Sequence, residues 1–135
     1  MSGAIAIEML RDQPLSSSGT DGIVYSVVVP VFNEEKNVES VVSRVSPVMD
    51  QIGEPYEILF VDDGSSDRTP VLLRQLADAN SHVRAVGFTR NFGQEAAVQA
   101  GYYYARGAWI IQMDGDLQNP PEEIHKLLEH RDSGY

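Results

Sequence analysis

The chain has 135 residues and no cysteine, which amounts to one domain's worth of sequence with no disulfide framework and no thiolate metal site. Twenty acidic against ten basic residues leave a formal net charge of −10, a balance that repels phosphate backbones and argues against nucleic acid as a partner. No run of eighteen apolar residues occurs, so no membrane-spanning helix is expected; the apolar stretch near the start, broken by Glu8 and followed by Arg11 and Asp12, lacks the marks of a signal peptide.

In chain order, the segment from Gln13 to Gly22 is rich in Ser, Gly, Pro and Asp and has no apolar period, so residues 1–22 are expected to form a flexible leader and residues 23–135 the domain. The β-branched run Val24–Val31 predicts a strand. Val38, Val41, Val42 and Val45 then recur at helical spacing, with Asn33 as the expected cap and Glu34 and Glu35 in the first turn. A second strand is expected over Tyr56–Val61, followed by a helix opened by Thr69 and Pro70, with Val71, Leu72, Leu76 and Ala79 as its apolar positions and Asn80 closing it. Val83–Phe88 reads as a third strand, Gln94–Arg106 as a third helix ended by Gly107, and Trp109–Met113 as a fourth strand. Asn119 and Pro120 open a last helix with Ile124, Leu127 and Leu128 on its apolar side. Alternating strands and helices of these lengths predict right-handed βαβ units, hence an α/β fold with a mainly parallel sheet covered by helices on both faces.

Ligands in such sheets bind beyond the carboxyl ends of the strands. Three of those ends are acidic: Asn33-Glu34-Glu35, Asp62-Asp63-Gly64-Ser65-Ser66-Asp67 and Asp114-Gly115-Asp116. Carboxylates gathered on one edge repel one another unless a cation or a ligand rich in donors sits among them. Asp114 and Asp116 can both reach one hard cation such as Mg²⁺ or Mn²⁺, with the carbonyl oxygen of Gln118 as a further ligand and Gly115 easing a tight turn; the same tripeptide also suits a solvated turn. Asp63 suits a nucleobase or ribose contact, or turn capping, and Glu34 a pocket or the helix dipole. Asp67 and Thr69 read as capping residues. His82, His125 and His130 show no ligand spacing and read as surface residues. Tyr102, Tyr103 and Tyr104 point in different directions on a helix, so at least one is core and another exposed.

Taken together, Val-Pro-Val-Phe-Asn-Glu-Glu at 29–35, Val-Asp-Asp-Gly-Ser-Ser-Asp-Arg-Thr at 61–69, Arg-Asn-Phe-Gly-Gln-Glu-Ala-Ala at 90–97 and Met-Asp-Gly-Asp-Leu-Gln-Asn-Pro-Pro-Glu at 113–122 resemble the inverting GT-A glycosyltransferases of family 2. Within that family the likeness is to the polyprenyl- and dolichyl-phosphate mannose or glucose synthases. The resemblance spans residues 23–135, and its most specific part is the Asp-x-Asp motif followed by Leu-Gln-x-Pro-Pro-Glu. It implies a Rossmann-like GT-A sheet truncated at the C-terminus, and transfer of a hexose from a UDP- or GDP-linked nucleotide sugar to a polyprenyl or dolichyl phosphate. It further implies that Pro30, Val31, Asn33, Glu34 and Asp63 line the nucleoside pocket, that Asp114 and Gly115 adjoin the diphosphate, and that Asp114, Asp116 and Gln118 hold Mg²⁺ or Mn²⁺. Gly115 stands where the resembled enzymes often have Ala, and Asn119 where they often have His. Neither change removes a ligand.

Such enzymes continue well past the equivalent of Tyr135, so the catalytic base and any membrane association are expected from a downstream part. The expected location is the cytoplasm, or the cytoplasmic face of a membrane in a longer protein. The alternative is a truncated, non-catalytic module that binds nucleotide sugars. A phosphatase of the haloacid-dehalogenase type is disfavoured because its Asp-x-Asp follows the first strand, not the fourth. A dinucleotide-binding Rossmann domain is disfavoured because Pro-Val-Phe-Asn replaces the glycine fingerprint.

Overall fold

The structure, a computed structural model, describes residues 5–10 and 22–129. Five strands, β1 (Ala6–Met9), β2 (Tyr25–Val31), β3 (Tyr56–Asp62), β4 (Val83–Gly87) and β5 (Trp109–Gln112), form one sheet in the order β1-β5-β2-β3-β4. β2 is parallel to both β3 and β5, and β3 is parallel to β4. The helices are α1 (Val38–Ile52), α2 (Thr69–Ala79), α3 (Gln94–Tyr104) and α4 (Ile124–Glu129), the last preceded by a 3-10 turn over Pro121–Glu123. The α/β class and its mainly parallel sheet are as the sequence predicts.

Strand alternation divides the core into two layers. Tyr25, Val27, Val29 and Val31 of β2, with Ile58 and Phe60 of β3, face the valines of α1, Leu73 of α2 and Ile124 of α4. Val28, Leu59, Val61 and Ile110 point the other way, onto Ala97 and Ala105 around α3. Helix α3 lies close to the sheet: a Cβ at Gly101 would come within 2.4 Å of Val28 Cγ1.

Ala6–Met9 lies in the segment expected to be leader, yet it pairs antiparallel with β5, from Ala6 opposite Gln112 to Met9 opposite Trp109. The Tyr102 hydroxyl adds a 2.7 Å hydrogen bond to Glu8 Oε1. Ile5 is buried and Ile7 packs against the same core layer, but the strand is only four residues long, and its place also depends on the main-chain groups that β5 offers along its edge. Residues 11–21 and 130–135, including His130, lie outside the described residues.

Asn33 does not cap α1. The helix starts at Val38 with Asn37 as its N-cap, and Asn33 instead adopts a left-handed backbone with φ 53°. On α2 the buried apolar side chain is Leu73, with Thr69 buried at the helix start, whereas Val71 is exposed. The histidines are more engaged than expected: the His82 ring stacks on Tyr56 at 4.1 Å with its Nδ1 3.1 Å from the Tyr56 carbonyl, and His125 Nε2 lies 3.1 Å from Gln51 Oε1. Of the three consecutive tyrosines, Tyr102 is half-buried while Tyr103 and Tyr104 are exposed.

Candidate functional site: an acidic cleft at the switch point of the sheet

From β2 the chain proceeds outward to β3 and β4 on one side, and returns through α3 to β5 on the other. The carboxyl ends of β2 and β5 therefore diverge, and a cleft opens there as the topology requires. The cleft has a volume of about 440 Å³. Pro30, Val31 and Glu34 form the wall from β2, and Asp63 the wall from β3. Asp114, Gly115, Asp116 and Gln118 form the wall from β5. Of the nine positions expected at a site, eight line this one cleft, and Asn33 alone does not.

The Asn33 side chain turns to the adjacent loop, where its Oδ1 accepts from the backbone N–H of Ser66 at 2.8 Å and of Asp67 at 3.3 Å. The exchange is reciprocal. Asn33 N–H donates to Ser65 Oγ at 2.8 Å, Glu34 N–H to Thr69 Oγ1 at 2.9 Å and Glu35 N–H to Asp67 Oδ2 at 3.3 Å, while Arg68 N–H donates to Glu35 Oε1 at 3.0 Å. Two loops of the strand-end edge are thereby stitched into one wall. Asp67 also accepts from Thr69 N–H at 2.8 Å. Burial pushes the Asp67 carboxyl upward, but the hydrogen bonds from Thr69 and Glu35 outweigh it and hold the group below its ordinary value.

Backbone and side-chain donors thus satisfy much of the acidity that composition alone makes self-repelling. Asp62 Oδ1 accepts from the Ser65 hydroxyl at 2.6 Å. Asp63, 4% exposed, accepts from Asn91 Nδ2 at 2.8 Å, Phe92 N–H at 2.8 Å and Gly93 N–H at 3.1 Å. Asp63 therefore holds the 91–93 turn as well as lining the cleft. Gly64 permits this arrangement: at φ 76° its backbone packs so closely that a Cβ would lie 2.2 Å from the Arg90 carbonyl carbon.

On the opposite wall Gly115 has a different reason from the expected tight turn. Its φ is not positive; the left-handed position falls on Leu117 at φ 61°. A Cβ at Gly115 would come within 2.6 Å of Val31 Cγ1, so the missing side chain lets the Asp-Gly-Asp turn sit against the end of β2. Gln118 N–H closes the turn on Asp116 Oδ1 at 3.2 Å. Among the described residues no group of three or more His, Cys, Asp and Glu forms a metal cage. Two carboxylates and one amide oxygen on the wall of an open cleft suit a hard cation that takes its remaining ligands from substrate phosphates and water.

Phe32, Gln94 and Ala97 also line the cleft, and the sequence reading assigned them nothing. Phe32 is 45% exposed, an aromatic ring left uncovered directly after a strand end. Gln94 and Ala97 fall in the Arg-Asn-Phe-Gly-Gln-Glu-Ala-Ala motif, which marked the resemblance without indicating which residue faced the site.

The sheet order and the acidic cleft at its switch point define an open α/β protein with a ligand-sized cleft at the carboxyl ends of its strands. Residues 26–135 match the family described as Glycosyl transferase family 2, and the chain belongs to that family. It is 49% identical over 111 residues to the undecaprenyl-phosphate 4-deoxy-4-formamido-L-arabinose transferase of Pectobacterium carotovorum subsp. carotovorum (strain PC1), and 47% identical over 111 residues to the transferase of the same name from Edwardsiella ictaluri (strain 93-146). Each alignment covers 82% of this chain and 34% of the relative, so the chain spans about a third of the length of these curated relatives. Among solved structures it resembles glucosyl-3-phosphoglycerate synthase from Mycobacterium tuberculosis in complex with phosphoglyceric acid, with a TM-score of 0.65, 26% identity, and coverage of 87% of this chain and 42% of that one. It also resembles a mannosyltransferase from Pyrobaculum calidifontis in complex with GDP-Man and Mn2+, with a TM-score of 0.57, 25% identity, and coverage of 68% and 27%. The fold is that of the GT-A glycosyltransferases. No helix among the described residues is long and apolar enough to cross a membrane.

Proposed function

We propose that this cleft binds the nucleoside diphosphate part of a nucleotide sugar together with a divalent cation, and that the protein transfers the sugar, with inversion, to a polyprenyl phosphate at the cytoplasmic face of a membrane. The observation that carries the reading is the convergence of Asp114, Asp116 and Gln118 on the wall facing Pro30, Val31 and Asp63. Asp114, Asp116 and Gln118 hold Mg²⁺ or Mn²⁺, with Gly115 beside the diphosphate. Pro30, Val31, Glu34 and Asp63 form the nucleoside side, with Asn33 supporting it from behind. A cation held by Asp114, Asp116 and Gln118 would supply charge neutralisation to the diphosphate as leaving group. The protein's own part is to orient the donor: Asp63 keeps the α3 wall in place, and the stitched 33–35 and 65–69 loops keep the nucleoside wall rigid.

The names of the relatives support the acceptor, and the Mn2+ and GDP-Man of the Pyrobaculum enzyme support the cation and donor class. The sugar of the curated relatives is a formamido-arabinose, so a donor panel should hold pentose as well as hexose nucleotides of uridine and guanosine. Calorimetry with UDP and GDP, each with and without Mn²⁺ or Mg²⁺, tests the site. Binding is expected to strengthen with metal, and Asp116→Asn to remove that gain, by about tenfold or more, without unfolding the protein. Equal affinity with and without metal in a folded sample would overturn the cation assignment. Metal-dependent binding without transfer to a short polyprenyl phosphate would leave the protein a nucleotide-sugar-binding module.

A further inference from the structure

We infer that Gln94, the first residue of α3, is a positioning residue for the cation site, a role that rests on the function proposed above. Its carboxamide Nε2 crosses the cleft and donates to Asp114 Oδ1 at 3.2 Å, linking the α3 wall to the Asp-Gly-Asp wall. Gln94 in turn is placed by its neighbours. Phe92 N–H and Gly93 N–H both donate to the buried Asp63 carboxylate, as does Asn91 Nδ2, and Gly93 reaches the helix with φ 105°. A chain of contacts therefore runs from Asp63 through the 91–93 turn to Gln94 and on to Asp114.

The chemistry suits positioning better than ligation of the cation. A carboxylate at the end of a short side chain can rotate about χ1 and χ2, and Asp114 follows β5 on the wall of an open cleft, where each contact to its oxygens narrows that rotation. A neutral amide donor on one oxygen restricts that rotation without cancelling the negative charge the cation needs, whereas an ammonium or guanidinium there would compete with the cation for Asp114. Gln94 thus lowers the ordering cost of assembling cation and diphosphate on Asp114, an effect that acts on binding with the cation present.

The test compares wild type, Gln94→Leu and Gln94→His by calorimetry with UDP and GDP, in the presence and absence of Mn²⁺, with melting temperature as a control. Leu keeps the bulk and removes the donor; His supplies an N–H donor on a shorter side chain and is assayed at about pH 8.5, well above the ordinary imidazole value. Gln94→Leu is expected to lose about tenfold of the Mn²⁺-dependent gain in affinity, the order of one hydrogen bond to a charged group, a loss well beyond any change in metal-free affinity and without a fall in melting temperature; Gln94→His should recover part of it. A Mn²⁺-dependent gain unchanged in Gln94→Leu would overturn the inference, as would an equal loss with and without metal, which would make Gln94 a direct nucleotide contact. A wild type showing no metal-dependent nucleotide binding would remove the function proposed above, and this inference with it. A wild type that shows the gain and a Leu variant that keeps it would remove only the role of Gln94.

Discussion

Replacing Asn33 with Ala separates two readings of a residue that the family resemblance places in the nucleoside pocket and the structure turns away from it. Asn33 holds φ 53°, and its Oδ1 accepts from Ser66 N–H at 2.8 Å and Asp67 N–H at 3.3 Å. Alanine in the left-handed region costs roughly 1 kcal/mol. Two backbone donors lose a protein partner, and because this loop is exposed, water takes their place, so the net loss is about 0.5 kcal/mol for each. The sum, about 2 kcal/mol, corresponds to a fall in melting temperature of about 6–10 °C for a domain of this size. Asn33→Gly removes the backbone strain but not the lost acceptor, so it should cost about half as much. Thermal denaturation followed by circular dichroism measures both, and calorimetry with UDP and GDP measures any loss of binding. If Asn33→Ala kept its melting temperature while nucleotide affinity fell tenfold or more, Asn33 would be a ligand contact and the stitched-loop account would be wrong.

Asp67→Ala should destabilise by about 1 kcal/mol, as loss of a capping carboxylate does, with nucleotide affinity preserved; a variant of unchanged stability that no longer bound nucleotide would place the pocket on the wrong loop. Because the folded state holds the Asp67 carboxyl below its ordinary value, the wild type keeps this stabilisation above about pH 4 and loses it as the pH falls through the lowered native value. The variant's stability should vary less with pH over that acid range, as urea titrations at a series of pH values would register. Gly64→Ala should be far more damaging, by about 3 kcal/mol or more, since it combines φ 76° with a Cβ that would lie 2.2 Å from the Arg90 carbonyl carbon; a soluble variant with wild-type melting temperature would refute that contact.

Much of the fold is written in local pattern. β2 and β3 read as β-branched and apolar runs because both of their faces are buried, and α1 reads from its valines because one face packs on the sheet. The candidate site was legible to the extent that strand ends are legible, since topology carries whatever follows β2, β3 and β5 to one edge. What the sequence could not resolve is which polar atoms on that edge face outward. Asn33, Glu34 and Asp63 belong to equally polar loops; only the tertiary structure turns the Asn33 side chain onto Ser66 and Asp67 while leaving Glu34 and Asp63 on the cleft wall.

The amino-acid sequence by itself determined the α/β alternation, the four parallel strands and the Asp-Gly-Asp turn after the last of them, because each depends on periodicity and turn chemistry within a few residues. Tertiary structure alone decided that Ala6–Met9 becomes the antiparallel edge strand, that Gly115 is required for close approach to Val31, and that Gln94 reaches Asp114 across the cleft. Each of those depends on groups brought together from 20 or more residues apart in the chain, or on the free edge of a strand. Neither leaves a repeating pattern in the sequence from which it could be read.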